Sequence, residues 1–454
     1  MYSTTGCPIP TQLGSVLYPF LVPALMEALH TTCFSQLTRI VPGEADDWCA
    51  ASARNQPRTI IFTGDTDLLL YDYQPETLVA FFKDVDLFPG SEFKVFSPTK
   101  ICQQLKLTSL IHLAYTMHLD RWRPFTDNIR EAHKLDLDSS QFLEFSKRYT
   151  DRAQDPLYLS KHPDLNDARQ GLDVRVSEFV HQTLSVADNS PDNAPLVMSV
   201  FLPLLVEDPF QASAWKFGQE SRLLAYSLLS PARIVVQEHL RKAQGISVQE
   251  LAPLAPIQQV TQAIALLEVL TASPPDQQLS KAHKWPILAL KLALQDLKPP
   301  HVSLTARVIA GGFDNTWAFV HLHACMQAVL YSLRMLKQCV TVWLALNRDN
   351  STTKLHELVT SLNQQLKSFP AIADIFTMPG QAAKFDPDDG GFLDAVKAIY
   401  TIAGIKDQSL FEEPKSKRQR KRDKMRNKKA EVKSQQHTQP RLKSNTFAVL
   451  EQSP

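Results

Sequence analysis

Short, unbroken apolar runs separated by turn residues fill the first third of the chain. Apolar residues three and four apart dominate the rest. In the first region Leu21–Leu29 is predicted as a helix and Leu37–Val41 as a short strand. Pro42-Gly43 then opens a second helix that runs to about Arg54, with acids in its first turn, where the helix dipole favours them. Thr59–Thr63 is apolar and β-branched, with a proline shortly before it and a glycine directly after, as in a buried parallel strand. Val79–Phe82 and Phe93–Phe96 are predicted as further strands. Ser97-Pro98 caps a helix to about Leu105, and Ser109–Leu119 forms another. Strands alternating with helices predict an α/β sandwich over roughly residues 20–135.

From about residue 140 the periodicity becomes helical. Val174–Val186, Ser213–Leu229, Pro231–Lys242, Ile257–Leu270, Trp285–Leu297, Thr316–Leu346 and Thr352–Phe369 all carry the three- and four-residue spacing. The expected organisation is an irregular start (1–15), an α/β domain (16–135), an all-α region (136–410) and a disordered tail (411–454). No fixed-period repeat signals a solenoid.

Composition changes this picture in one respect. The 454 residues carry a formal charge of only +1, but the charge is unevenly spread. Lys415–Lys433 holds eleven Lys/Arg against two acids, so residues 1–414 carry −9 and the remainder +10. An acidic body with a short basic arm is the asymmetry of a nuclear address or a nucleic-acid contact. Lys417, Arg418, Arg420, Lys421, Arg422, Lys424, Arg426, Lys428 and Lys429 are the candidate residues for either role. A solvated tail that aids solubility is the plainer alternative. The apolar island Asn445–Leu450 offers a docking segment for a protein partner.

Six scattered cysteines form no CxxC pair, which argues for a reducing compartment. Leu17–Leu29 contains Pro19 and Pro23 and lacks a preceding basic segment, unlike a secretory signal. Ala194–Val206 is too short to span a bilayer. These features predict a soluble, intracellular protein without membrane contact, nuclear by its basic tail or else cytoplasmic. Only 14 glycines occur and no Gly-rich loop ends in Lys-Ser/Thr, which excludes an NTPase. No Gly-x-Ser-x-Gly elbow is present. His321 and Cys325 share a helix face while His323 lies off it, so they are predicted to pack rather than to hold zinc. Trp215, near Arg222, is likewise predicted to be core.

The candidate chemistry lies in acids. Gly43-Glu44-Ala45-Asp46-Asp47 opens a helix, Gly64-Asp65-Thr66-Asp67 follows a strand, and Asp120 ends an apolar helix. Carboxylates at the carboxyl end of a parallel strand sit where open α/β sheets place ligands. Residues two apart on an extended segment point the same way, so Asp65 and Asp67 can share one hard cation such as magnesium. Taken singly, each acid fits a solvated turn or a helix cap equally well. Their order and spacing carry the signal.

Val-Pro-Gly-Glu-Ala-Asp at 41–46, followed by Thr-Gly-Asp-Thr-Asp-Leu-Leu at 63–69, resembles the internal region of the XPG/flap-endonuclease family, in particular its Asteroid-like branch. The resemblance covers about residues 20–135. It implies a PIN-like nuclease-type sandwich and a Mg2+- or Mn2+-dependent nuclease acting on DNA or RNA. It further implies that Glu44, Asp46, Asp65, Asp67 and Asp120 are the metal-site and catalytic residues.

Three features depart from the family. Only Glu27 precedes Glu44 among the acids, where the family has two earlier aspartates. Residues 1–43 contain a single basic residue, Arg39, where the family has substrate-gripping basic helices. Asp120 leads into Arg-Trp-Arg-Pro-Phe-Thr-Asp-Asn and not into a glycine-rich helix–hairpin element. The resemblance therefore implies a sandwich incomplete at its N-terminus. Truncation, completion of the site in trans and a degenerate relative remain as explanations, and the alternative function is a non-catalytic nucleic-acid or protein-interaction factor.

Overall fold

A computed structural model describes residues 19–411, apart from 86–87, 89, 91, 151–160, 162, 190–195, 231–233, 243–244, 272–280, 313, 349–352 and 377–389. The irregular start and the basic tail, with its candidate nucleic-acid residues, lie outside the described residues.

A small α/β unit follows the predicted order. Helix α1 (Leu21–His30) leads to α2 (Ala45–Arg54), then to strand β1 (Ile60–Thr63) and strand β2 (Leu78–Phe81). The two strands pair in parallel, Ile60 opposite Leu78 and Thr63 opposite Phe81. Helices α3 (Pro98–Leu105) and α4 (Leu110–Leu119) start where Ser97 and Ser109 accept backbone N–H groups with their hydroxyls. Helices α5 (Phe125–Ala132) and α6 (Ser140–Thr150) follow. One core joins Ala50 and Ala53 of α2, Ile61 of β1, Ile111 and Tyr115 of α4, and Phe142 and Tyr149 of α6.

Two predicted strands are not formed. Residues 35–37 make a single 3-10 turn, Leu37 is largely exposed and only Ile40 of the segment is buried, so no alternating apolar face favours pairing. Around Phe93–Phe96 the described residues make a single bridge, Val79 to Phe96.

The second half departs further from expectation. Helices α7 (Leu165–Gln170) and α8 (Val174–Asn189) precede strand β3 (Leu196–Phe201), and helix α9 (Gln219–Leu229) is followed by strands β4 (Ile234–Lys242) and β5 (Gly245–Leu251). β3 pairs in parallel with β4, which pairs antiparallel with β5. The predicted helix Pro231–Lys242 is thus mostly strand, and the region 136–410 is not all-α. Ile234, Val236, Glu238 and Leu240 alternate inward, and that period of two prevails over the apolar spacing that also fits a helix.

From Pro256 onward the described elements are helical: α10 (Pro256–Thr271), α11 (Lys281–Ala293), α12 (Val302–Ile309), α13 (Trp317–Leu346), α14 (Lys354–Leu366), α15 (Ile372–Ile375) and α16 (Gly390–Ile402). Helix α13 is long and apolar enough to cross a membrane, yet most of its residues are buried against the other elements as the axis of the larger core. Gly218, at φ +74°, starts α9 against it. A Cβ there would stand 2.8 Å from the Ser332 hydroxyl and 3.0 Å from Val329 Cα, so α9 and α13 approach only because the side chain is absent. His321 and Cys325 are buried in this core, as is Trp215 beneath the Arg222 guanidinium.

Phe20 also belongs to the larger core, stacked on Phe376, and Glu27 of α1 pairs with Arg334 of α13. Helix α1 therefore packs on the helical half rather than on β1 and β2.

Candidate functional site

Gly43, at φ +69°, turns the chain into α2, and Glu44 stands at the N-cap in an extended conformation. Asp46 and Asp47 occupy the first turn, where unpaired backbone N–H groups and the helix dipole favour negative charge. The second group of acids hangs from β1. Thr63 is the last inward-facing residue of the strand, and its hydroxyl accepts the Asp65 N–H at 2.9 Å. Asp65 Oδ1 in turn accepts the Asp67 N–H at 3.1 Å, which closes the turn and starts a short 3-10 segment. The Gly-Asp-Thr-Asp sequence thus folds as a turn braced by its own carboxylate.

Asp46 is where the two groups meet. Partial burial raises its pKa, and the charges of Asp65, Glu44, Asp67 and Asp47 raise it further. Four of the five expected acids therefore share one neighbourhood.

Asp120 ends α4, and its oxygens face its own turn. Oδ1 accepts the Trp122 N–H at 3.0 Å, and Oδ2 lies 3.7 Å from Arg123 Nε.

Four residues that sequence reasoning missed surround the acids. Tyr71 donates its hydroxyl to Asp47 Oδ1 at 2.6 Å. Tyr149 donates to Asp67 Oδ2 at 3.2 Å, and the guanidinium of Arg148 stands 3.7 Å from the same oxygen. Burial works against the Arg148 charge, but the surrounding groups, the Asp67 and Glu44 carboxylates among them, outweigh it and raise its pKa. Arg54 reaches from α2 to the Tyr149 carbonyl at 3.3 Å, fastening α2 to α6. The apolar face of α6 (Phe142, Phe145, Tyr149) is visible in the sequence as a helical stripe, but no motif marks Arg148.

The oxygen donors suit a hard divalent cation. Among the described residues no three His, Cys, Asp or Glu side chains converge at a spacing that would hold a metal. Asp47 accepts a tyrosine hydroxyl, Asp65 a backbone N–H, and Asp67 a tyrosine hydroxyl beside a guanidinium. As arranged, the cluster holds charge by hydrogen bonding and ion pairing.

Residues 17–252, just over half of the chain, match the sequence profile of a family described as XPG domain containing. The chain belongs to this XPG-domain family. The match covers the acid cluster of the XPG domain and extends through the β3-β4-β5 sheet, well past the 20–135 region that carries the motifs. No curated protein and no solved structure matches the chain. Family membership links the chain to nuclease-type or related nucleic-acid function.

Proposed function

We propose that this XPG-domain protein binds nucleic acid, and that its acid cluster is balanced from within the chain rather than by bound metal. The XPG-domain match supports nucleic-acid binding, and one observation carries the internal balance: Arg148 and Tyr149 of α6 both engage Asp67, the acid that the family resemblance assigns to a metal. Asp120, assigned to the same metal site, instead braces the turn that follows it. Five carboxylates without a cation would repel one another, and an internal guanidinium with tyrosine hydroxyls relieves that repulsion. The basic tail, Lys417 to Lys429, supplies phosphate contacts or a nuclear address. The order of the acidic motifs favours the Asteroid-like branch of the family.

A second reading is a Mg2+- or Mn2+-dependent nuclease acting on DNA or RNA. The raised pKa of Asp46 supports it, because four acids gathered between the start of α2 and the end of β1 are a poised site for divalent charge. A further segment of the same polypeptide, or a partner in trans, would then complete the ligand set around Glu44, Asp46, Asp65 and Asp67.

Fluorescence anisotropy with single-stranded, duplex and branched DNA and RNA, followed by cleavage assays in magnesium and manganese, separates the two. Binding without cleavage supports the first reading. Cleavage abolished by Asp65→Ala overturns it in favour of the second. Absence of binding to every substrate refutes both.

A further inference from the structure

The turn between α4 and α5 presents an indole to solvent on a rigid mount. Trp122 is 94% exposed, and Leu119, Phe125 and Met117 expose further apolar surface beside it in the sequence. The turn is well anchored. Asp120 accepts the Trp122 N–H at 3.0 Å, and the Asp120 carbonyl accepts the Arg123 N–H at 3.4 Å. The Asn128 side-chain amide donates to the Arg123 carbonyl at 3.0 Å. Asn128 is itself buried, and its carbonyl accepts the hydroxyl of Thr116, which is also buried. The indole is thus held out in the water by a turn whose hydrogen bonds reach the interior.

Its immediate neighbours are Arg121, exposed, and Arg123, whose charge is partly met by Asp120 at 3.7 Å. An exposed indole flanked in the sequence by two arginines has the composition of a stacking platform with backbone contacts. A duplex offers base faces only at its ends, whereas a single strand offers one at every nucleotide.

We propose that Arg121-Trp122-Arg123 is a contact for single-stranded nucleic acid, with Trp122 stacking on a base and the arginines meeting flanking phosphates. The proposal rests on the nucleic-acid-binding reading and names where the body of the protein, as distinct from its basic tail, touches the strand.

The test titrates labelled oligo(dT) and oligo(U) into the full chain and into Trp122→Ala, Trp122→Phe and Arg121→Ala. Trp122→Ala should weaken binding by about 5- to 150-fold, the range for loss of one base–aromatic stack. Trp122→Phe should restore most of the loss. Arg121→Ala should lower the slope of log affinity against log salt by about one. Because the indole lies outside the buried cores, circular dichroism of Trp122→Ala should match the wild type. If the wild type binds and Trp122→Ala binds equally well, the proposed contact is wrong while the nucleic-acid-binding reading stands. If the wild type binds neither oligonucleotide nor any other nucleic acid, that reading fails and the contact with it.

Discussion

The guanidinium of Arg148 stands 3.7 Å from Asp67 Oδ2, the oxygen to which the Tyr149 hydroxyl also donates. Adjacent residues of α6 thus bring a positive charge and a hydrogen-bond donor to one carboxylate of the acid cluster. Arg148→Ala removes the charge and leaves the tyrosine. Both partners are substantially solvated, so stability should change by less than about 1 kcal/mol. Affinity for divalent cations should respond more strongly. Calorimetry with Mn2+ should show tighter binding to Arg148→Ala than to the wild type, because Asp67 and its acidic neighbours lose their internal counter-ion. Equal binding by the two proteins would show that Arg148 does not compete with metal.

Asp46 carries the field of four other acids at the start of α2. Burial and those charges raise its pKa, so charging it costs more in the folded chain than in the unfolded one. The folded state holds the proton more tightly, and stability falls as pH rises through the interval between the unfolded and folded pKa values. Asp46→Asn removes that penalty. At neutral pH the variant should be more stable than the wild type, within about 1 kcal/mol given the partial solvation. The gain should vanish below the unfolded pKa. Urea titrations at neutral and acid pH read both arms.

Glu207 offers the sharper pH signature. It is buried, and burial pushes its carboxyl up from the ordinary 4.5 to about 7, although the Ala214 N–H and the Ser213 hydroxyl both donate to it. Between those two values the unfolded chain releases the proton and the folded chain keeps it, so wild-type stability should decline across that interval and level off above pH 7. Glu207→Gln should lack this decline. The difference between the two proteins should open by on the order of 2–3 kcal/mol from acid to neutral pH. Parallel stability curves would exclude Glu207 as the titrating group.

The acid cluster was legible in the sequence, but its neutralisation was not. Glu44 and Asp46 were marked by a helix start, and Asp65 and Asp67 by a strand end, because local chemistry fixes both positions. Arg148 lies more than eighty residues beyond Asp67, and only the packing of α6 on α2 and β1 brings it back. Asp120 was found as a helix terminus, but whether its oxygens turn toward the other acids or toward Trp122 is decided by the short turn that follows. Strand β4 is a related case. A run such as Ile-Val-Val-Gln-Glu-His-Leu satisfies both a period of two and a helical spacing, and its pairing with β3 and β5 decides between them.

That strand also carries Glu238, fully buried and paired with an equally buried Arg222 from α9 at 2.6 and 2.9 Å. The guanidinium further donates to the Trp215 carbonyl at 2.7 Å and the Ser332 hydroxyl at 2.8 Å, and the Tyr226 hydroxyl donates to Glu238 at 2.8 Å. Glu238→Leu would strand a charged guanidinium in the core and should cost about 3–5 kcal/mol. The double variant Arg222→Met/Glu238→Leu removes both charges and should recover most of that loss. Chemical denaturation of the two variants measures the difference. A double variant no more stable than Glu238→Leu would mean that the pair's other hydrogen bonds, rather than charge balance, hold β4 to α9.

Glu27 tests whether α1 belongs to the helical half. Its Oε1 accepts from Arg334 at 2.8 and 3.0 Å, and Oε2 accepts the Ile372 N–H at 2.7 Å, so one carboxylate joins α1, α13 and α15. Arg334 keeps Asp173 at 2.9 Å when Glu27 is removed, so Glu27→Ala leaves the buried cation paired. The loss should then be the charge-assisted bonds alone, about 1.5–3 kcal/mol. It should also be local. Hydrogen exchange should accelerate across Leu21–His30 and around Ile372 while α13 stays protected, because few apolar contacts, chiefly Phe20 on Phe376 and Tyr331 and Ala24 against the core, remain to hold this corner. Uniform acceleration through α13 would instead make α1 part of the cooperative core, and faster exchange confined to β1 and β2 would place it with the acid-bearing sheet.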